Sequence, residues 1–393
     1  MILRNIAEIG DFDISKIVRE VAFFAKIPSP TFHEGKRAQY ILKRLKEIGI
    51  TNVQLVGHQN ILVRTGREKG SILLLTAHLD TVSAPEKDIN IKKKGKLLIG
   101  PGVGDNALGV VAGLNILERL RRLRFEPLGS LLFAATTCEE GLGNLRGITE
   151  IIDSLKGEVN FVIALEGLFQ GRLSHQAIGV ERWKIHFQGP GGHSWEDARN
   201  PNPNHALIQL GNSLLSKRLP RLANLNLSII EGGESINSIS TSGSVSIDIR
   251  SLKQKEVVRL SSIVQKEASR IGKLENLKVS FFPLGKRPAG SIPKNHVLVH
   301  IGREIHKSIG MKSEYTPMSS DANISLSKGI PSLTIGIARG GNCHREDEFI
   351  ETNSIAIGLK QLLLFSIILT GSKEDIKIGS RKGYGSGFFA AHF

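Results

Sequence analysis

Apolar positions fall into two distinct patterns along the first 170 residues. Over 14–27 and 34–48 they recur at three- and four-residue steps, which predicts two helices. Ile72–Thr76, Leu131–Ala135 and Phe161–Leu165 are instead continuous apolar runs, the pattern of strands buried on both faces. Between the first two runs, Asp105 to Leu123 reads as a helix opening behind a Gly-rich turn, with Leu, Val, Ile and Ala at helical spacing. Strands alternating with helices predict an α/β fold with a mostly parallel sheet covered on both sides. Ligands of such sheets collect at the carboxyl ends of the strands.

The pattern changes near Ile178. Trp183–Phe187 alternates, Asn204–Lys217 is helical, Leu225–Ile230 and Val245–Ile249 alternate, Lys253–Ile271 is helical and Leu277–Phe282 is extended. This β-α-β-β-α-β order predicts a ferredoxin-like α+β domain. Helix–strand order then resumes with His296–Ile309, Ser332–Ile337 and Thr352–Thr370. The second domain is therefore expected as an insertion at 179–290, within a domain made of 1–178 and 291–372. The tail, 373–393, is Gly/Ser-rich without periodicity and is assigned no role.

At 393 residues the chain has room for these two domains. A net charge of +15 would suit an acidic partner such as nucleic acid. The basic residues are scattered, however, and only 5% of residues are aromatic, so no stacking surface is expected. The densest run, Lys92, Lys93, Lys94 and Lys96, reads as a solvated hairpin. Two cysteines, Cys138 and Cys343, cannot build a disulfide framework, and each precedes a candidate functional residue. A reducing, cytoplasmic location is the expectation. No signal-peptide core is read at the start, and no apolar stretch reaches the ~18 residues of a membrane helix. LKQLLLFSIILT reads as a buried C-terminal helix. Neither nucleic acid nor a membrane is expected as a partner.

Five short segments then carry the chemistry: LLLTAHLDTV, GPGVGDNALG, AATTCEEG, VIALEG and GGNCHREDE. They supply His78, Asp80, Asp105, Glu139, Glu140, Glu166 and His344, a mixed imidazole and carboxylate set suited to borderline divalent ions. Singly, each has an ordinary explanation. His78 and Asp80, two apart at a strand end, point the same way, so Asp80 accepts from the imidazole either to fix a ligand tautomer or simply to satisfy a buried histidine. Asp105 stands where an N-cap aspartate would. Adjacent Glu139 and Glu140 repel unless a cation offsets them, or unless they are merely a solvated loop pair. With a cation, one can ligate while the other handles protons. Glu166 repeats the strand-end pattern, and a loop histidine such as His344 is by itself unremarkable. Four strand ends and one helix start delivering donors together point to metal.

These segments, with GPGGHS, DIR and SSDAN, resemble the co-catalytic metallopeptidase family of peptidase T, carboxypeptidase G, aminoacylase and the acetylornithine and succinyl-diaminopimelate deacylases. The match runs from about residue 15 to 370 and is closest in flavour to peptidase T. The resemblance implies a zinc-peptidase catalytic domain with an inserted lid and dimerisation domain. It implies two divalent ions per subunit, Zn²⁺ or alternatively Co²⁺ or Mn²⁺. His78, Asp105 and Glu166 then hold one ion and Asp105, Glu140 and His344 the other. Asp80 orients His78, and Glu139 is the general base on a bridging water. His193, in GPGGHS, stabilises the tetrahedral intermediate, often in a partner subunit's site. Asn237 and Arg250 contact substrate, although Ser240 stands where the family usually has proline. Alternatively, His193 belongs to a dimer surface and Arg250 to a strand-edge salt bridge. The Asp105–Asn106 position is one often held as a cis peptide. The implied activity is hydrolysis of amide bonds in small peptides by an aminopeptidase or di/tripeptidase. The alternatives are an N-acyl amino-acid deacylase with the same site, a non-catalytic binding protein on the same fold, or a nucleic-acid binder. A homodimer is expected.

Overall fold

Continuous apolar runs become the inner strands of a seven-stranded sheet. The computed structural model describes residues 11–67, 70–82 and 89–371, so the chain's opening segment and the tail 373–393 lie outside the described residues. Two units are formed, one from Met1–Gln176 with Ser291–Phe393 and one from Ala177–Gly290.

In the first unit, Ser130–Thr136, Ile72–His78, Phe161–Gln170 and Ser332–Gly336 lie side by side and parallel. Every residue of three of these strands is buried, as expected of apolar runs sandwiched between helices. Antiparallel strands extend both edges: Asn60–Gly66 and Val53–Val56 on one side, Leu173–Ser174 on the other. The sheet is thus mixed rather than mostly parallel. Its edge hairpin is half solvated and lacks the continuous apolar run that marks the inner strands.

Helices Arg146–Ser154 and Ala322–Ser327 cover one face, and Gly109–Arg122 and Ile355–Thr370 the other. The C-terminal helical segment has the expected bounds, a short turn at Thr352–Ser354 leading into the α-helix Ile355–Thr370. Thr352–Thr370 spans 19 residues and is long and apolar enough to cross a bilayer by length and composition, yet 67% of it is buried in the protein. It is a core helix. A smaller sheet joins Gly340–Gly341, Phe349–Glu351, Leu97–Ile99 and Lys92–Lys94. The three lysines of its last strand are exposed, in the hairpin expected of them.

The second unit is a four-stranded antiparallel sheet in the order Ala223–Gly232, Ser242–Ser251, Gly179–Gln188, Lys278–Arg287, with helices Pro203–Leu215 and Gln254–Leu274. This is the ferredoxin-like order. Ile185, Phe187, Ile247 and Ile249 form its core with Leu210, Leu214, Val264 and Ile271 from the helices. The alternation in the sequence therefore marks the strand face that meets the helices.

Gly113 shows how tightly the first unit is packed. A Cβ there would lie 2.2 Å from the Phe133 ring. Helix propensity favours Ala over Gly by about 1 kcal/mol, whereas overpacking a core costs about 1–3 kcal/mol. The Gly113→Ala variant is expected to be less stable than wild type in urea unfolding; a gain in stability would show that Phe133 yields freely.

Candidate metal centre

Asp105 is the meeting point of the site. Its Oδ1 lies 3.0 Å from His78 Nε2, and its Oδ2 lies 2.9 Å from His344 Nε2. His78 Nε2 is also 3.9 Å from Glu166, and His344 Nε2 is 3.1 Å from Glu140. The donor atoms of His78, Asp105 and Glu166 all fall within 4.8 Å of one another, as do those of His78, Glu139 and Glu140. Six of the seven candidate residues of the first unit, all but Asp80, are therefore linked in one donor cluster, although they span 267 positions of sequence from His78 to His344, counted inclusively.

The backbone that delivers them departs from the sequence reading in three places. Asp105 does not open a helix or cap one. The α-helix begins at Gly109, and Asp105 sits in the preceding tight turn at φ −110°, ψ 89°, where the Asp105–Asn106 peptide is cis. Asn106 anchors that turn to the sheet: its amide donates to Leu165 O at 2.7 Å and accepts from Gly167 N at 3.0 Å. Glu166 does not follow its strand but lies within it. There the parallel register jumps from Ile335↔Leu165 to Gly336↔Gln170, and the bulged stretch carries the carboxylate. Asp80 does not share a strand face with His78, because the strand ends at His78. The nearest acceptor for His78 Nδ1 is the backbone carbonyl of Asp80 at 3.0 Å, with its carboxylate at 3.6 Å. That leaves Nε2 of His78 facing Asp105 and Glu166. The Asp80 carboxylate instead accepts from Glu139 N at 3.0 Å, Glu140 N at 2.8 Å and Thr31 Oγ1 at 2.9 Å. It fixes the backbone of the adjacent glutamates.

Three contributors were not singled out from sequence. Buried Glu348 accepts from Gly104 N, Asp105 N and His344 N, binding the Asp105 turn to the His344 loop. It is the last acid of CHREDE, four positions after His344, and hides in what reads as a solvated charge run. Arg37 is fully buried and donates to Leu79 O, between His78 and Asp80, at 2.8 Å. Its place on the Ala38, Ile41 and Leu45 face of a helix was the available signal. Asp321, in SSDAN, is buried and accepts from Thr136 Oγ1 at 2.8 Å, with Thr76 also close to its carboxylate.

Charge is the dominant feature. Burial opposes ionisation of Asp105, yet hydrogen bonds with His344 and His78 hold it far below the ordinary carboxylate range. Burial likewise opposes a charged His78, but Asp105 and the surrounding acids raise its imidazole well above the usual value. Asp105, Cys343 and Glu140 raise His344 as well. Burial and the like charges of Asp105, Glu139 and Asp321 push Glu166 well above its ordinary range. Burial and the nearby Asp105 charge take Glu348 to about 7. A buried site rich in carboxylates, with two imidazole nitrogens aimed inward and a carboxylate shared between them, fits divalent cations.

A profile of peptidase family M20/M25/M40 matches residues 74–366, about three-quarters of the chain. The chain belongs to that family. Membership makes it a metal-dependent hydrolase of the peptidase and amidohydrolase class. Succinyl-diaminopimelate desuccinylase of Corynebacterium glutamicum is 22% identical over 356 residues, covering 86% of this chain and 93% of that protein. Among solved structures, aminopeptidase PepT of Bacillus cereus superposes with a TM-score of 0.76 at 17% identity, over 92% of this chain and 99% of that one. The Bacillus subtilis YXEP protein, a dinuclear metal-binding peptidase of the M20 family, gives 0.67 at 14% identity, over 91% and 98%. Both structures share the M20/M25/M40 fold with this chain.

The second unit holds the other three candidates. His193 and Asn237 are neighbours there: Gly192–His193 pairs with Ser238–Ile239, and Ser194 N donates to Asn237 O at 3.0 Å. His193 Nδ1 accepts from Trp195 N and Glu196 N, each at 3.3 Å. Ser240, at the family's usual proline position, closes the turn with its hydroxyl, which donates to Ser242 O and accepts from Gly233 N. Arg250 is held by Asp248 at 2.7 Å, an acid that Arg182 shares, on an inner strand rather than an edge.

Glu166 is the carboxyl whose ionisation burial and like charges oppose. Its folded pKa lies above the unfolded value of about 4.3, so its ionised form weakens the metal-free protein. The penalty begins above that unfolded value and grows until the folded pKa is passed. At neutral pH, Glu166→Gln is expected to raise the Tm of chelator-treated protein and to lower metal stoichiometry and the Tm of metal-loaded protein. Scanning calorimetry on both forms checks this; a lower Tm in the metal-free form would overturn the reading.

Proposed function

We propose that this protein hydrolyses the amide bonds of small peptides, as an aminopeptidase or di/tripeptidase, with two divalent metal ions as cofactor. The observation that carries the reading is the Asp105 carboxylate, whose two oxygens face different imidazoles. Such a carboxylate suits a bridge between two cations. His78, Asp105 and Glu166 would hold one ion, and Asp105, Glu140 and His344 the other. Zn²⁺ suits the donor set, as do Co²⁺ and Mn²⁺. When bound, such a pair supplies Lewis acidity, lowering the pKa of water and offsetting charge on the amide oxygen.

Glu139 is assigned the general base. It is buried beside His78 and Glu140, and its backbone is fixed by Asp80. Glu139 takes the proton of the attacking water and returns it to the leaving amine. Glu140 turns to His344 instead, which supports dividing the adjacent pair into base and ligand. His193 is assigned the donor to the oxyanion, and its accepting Nδ1 supports a proton on Nε2 for that role. One such donor is worth about 3–4 kcal/mol of transition-state stabilisation. Asn237, next to His193, is assigned to substrate. For Arg250 the same role requires exchange of its Asp248 ion pair for a substrate group.

The desuccinylase relative favours a second reading, removal of an N-acyl group from an amino acid by the same machinery. Both free cysteines support a reducing, cytoplasmic location. A homodimer through the second unit is supported by its edge strand Ala223–Gly232, where Ile229 and Ile230 are 57% and 65% exposed, and by exposed Ile208 and Leu215 on the adjoining helix.

Two experiments test these assignments. Glu139→Gln is expected to retain two metal ions by elemental analysis while losing about 10²–10⁴ in kcat against a panel of di- and tripeptides and N-acyl amino acids. Turnover near wild type would remove Glu139 as base, and turnover of only the N-acyl substrates by the wild type would select the deacylase. Ile230→Asp is expected to halve the mass measured by light scattering with its Tm retained; an unchanged mass would exclude this face.

A further inference from the structure

Cys343 lies directly against the site without having been counted among its ligands. Its Sγ is 2.9 Å from Asp105 Oδ2, the same oxygen that lies 2.9 Å from His344 Nε2. The donor atoms of Asp105, Cys343 and His344 fall within 4.8 Å of one another. Successive residues of an extended chain point to opposite sides, so two neighbours do not ordinarily address one carboxylate oxygen. The loop between Gly340–Gly341 and Phe349–Glu351 overcomes this with left-handed backbone at Asn342, φ 57°, and His344, φ 66°. Asn342 is fastened by its amide to Asp347, and His344 N donates to Glu348. The turn thus directs an imidazole and a thiol at the same place. Cys138, the other thiol, belongs to no such donor group among the described residues.

We propose that Cys343 is a further ligand of the ion assigned to Asp105, Glu140 and His344, adding a sulfur donor to an oxygen and nitrogen set. This rests on the reading of the site as a metal pair and extends it to the kind of metal held. Coordination replaces the thiol S–H bond with a sulfur–metal bond and releases one proton to solvent, with no change of oxidation state. Four protein donors then surround this ion, whereas the position of His78, Asp105 and Glu166 has three. Sulfur is a soft donor that selects zinc or cobalt over manganese or magnesium. The two positions should therefore differ in both affinity and preference, with the sulfur-bearing one filling first.

The test is cobalt loading of chelator-treated full-length protein, followed by absorption spectroscopy. Wild type is expected to develop a sulfur-to-cobalt charge-transfer band in the near ultraviolet with the first equivalent of Co²⁺. Cys343→Ser is expected to bind cobalt without that band, and Cys138→Ser to keep it. In competition, Cys343→Ser should lose at least about tenfold of its preference for Zn²⁺ over Mn²⁺. Wild type binding two cobalt ions with no such band would overturn the cysteine ligand while leaving the metal pair standing. No cobalt binding at all would overturn both. The wild-type spectrum decides the matter even if the serine variant fails to fold.

Discussion

Packing several carboxylates into one buried place is the constraint on which the first unit depends. Asp80, Glu139, Glu140, Glu166, Asp321 and Glu348 are all buried around Asp105. Ionised acids in a low-dielectric interior repel one another and forgo hydration, so each needs compensation from the fold. Two of them receive it from the backbone. Asp80 accepts from two consecutive N–H groups and Glu348 from three. Asp105 receives it from two imidazoles. Glu166 has the least, and burial with like charges accordingly pushes its pKa up. The acids thus divide into those that brace the frame and those, such as Glu166, whose charge the fold compensates less.

The sheet makes this arrangement possible because its irregularities coincide. The parallel strands stop together at His78 and Thr136, the bulge begins at Glu166, and the tight turn before Gly109 is locked onto that bulge by Asn106. Glu348 then ties the turn to the His344 loop. Regular strands and helices would have sent these side chains in unrelated directions. Departures from regularity at a site, supported by a regular scaffold around it, are the expected form of a functional constellation.

That division explains what was legible in the sequence. Continuous apolar runs and clear alternation revealed the inner strands and the inserted β-α-β-β-α-β unit, because burial on one or two faces writes itself directly into periodicity. The acids and histidines were visible because they stand beside those runs. The half-solvated edge strand Val53–Val56 and the short apolar stretch of its partner Asn60–Gly66 left no such trace. Glu166 looked like a residue just past its strand, since a bulge changes register without changing composition. Asp105 looked like a helix cap, since glycines followed by an acid announce both a helix start and an irregular turn. Glu348 and Arg37 were harder to read. Glu348 accepts from Gly104 and Asp105, far away in sequence, and the apolar helix face around Arg37 signals its burial but not its distant acceptor, Leu79.

Arg37 adds a buried positive charge that interacts with Asp80, Asp105 and Glu348. A fully buried guanidinium is costly, and burial lowers its pKa to about 10 even with Asp80, Asp105 and Glu348 pulling it up. Its N–H groups go to three backbone carbonyls, Ile27 at 3.0 Å, Leu79 at 2.8 Å and Ala25 at 3.4 Å, while Phe24 lies against its face at 4.8 Å. The planar fork reaches several acceptors at once, which a lysine ammonium on a flexible stem would not reproduce in the same geometry. The cation therefore stays fixed one layer behind the acids. From there it attracts Asp80 and Asp105 without occupying their oxygens, which remain available to the Glu139–Glu140 backbone and to the two histidines. A carboxylate-rich site can in this way be held together partly by a charge that never enters it, leaving its donor atoms to the groups they serve.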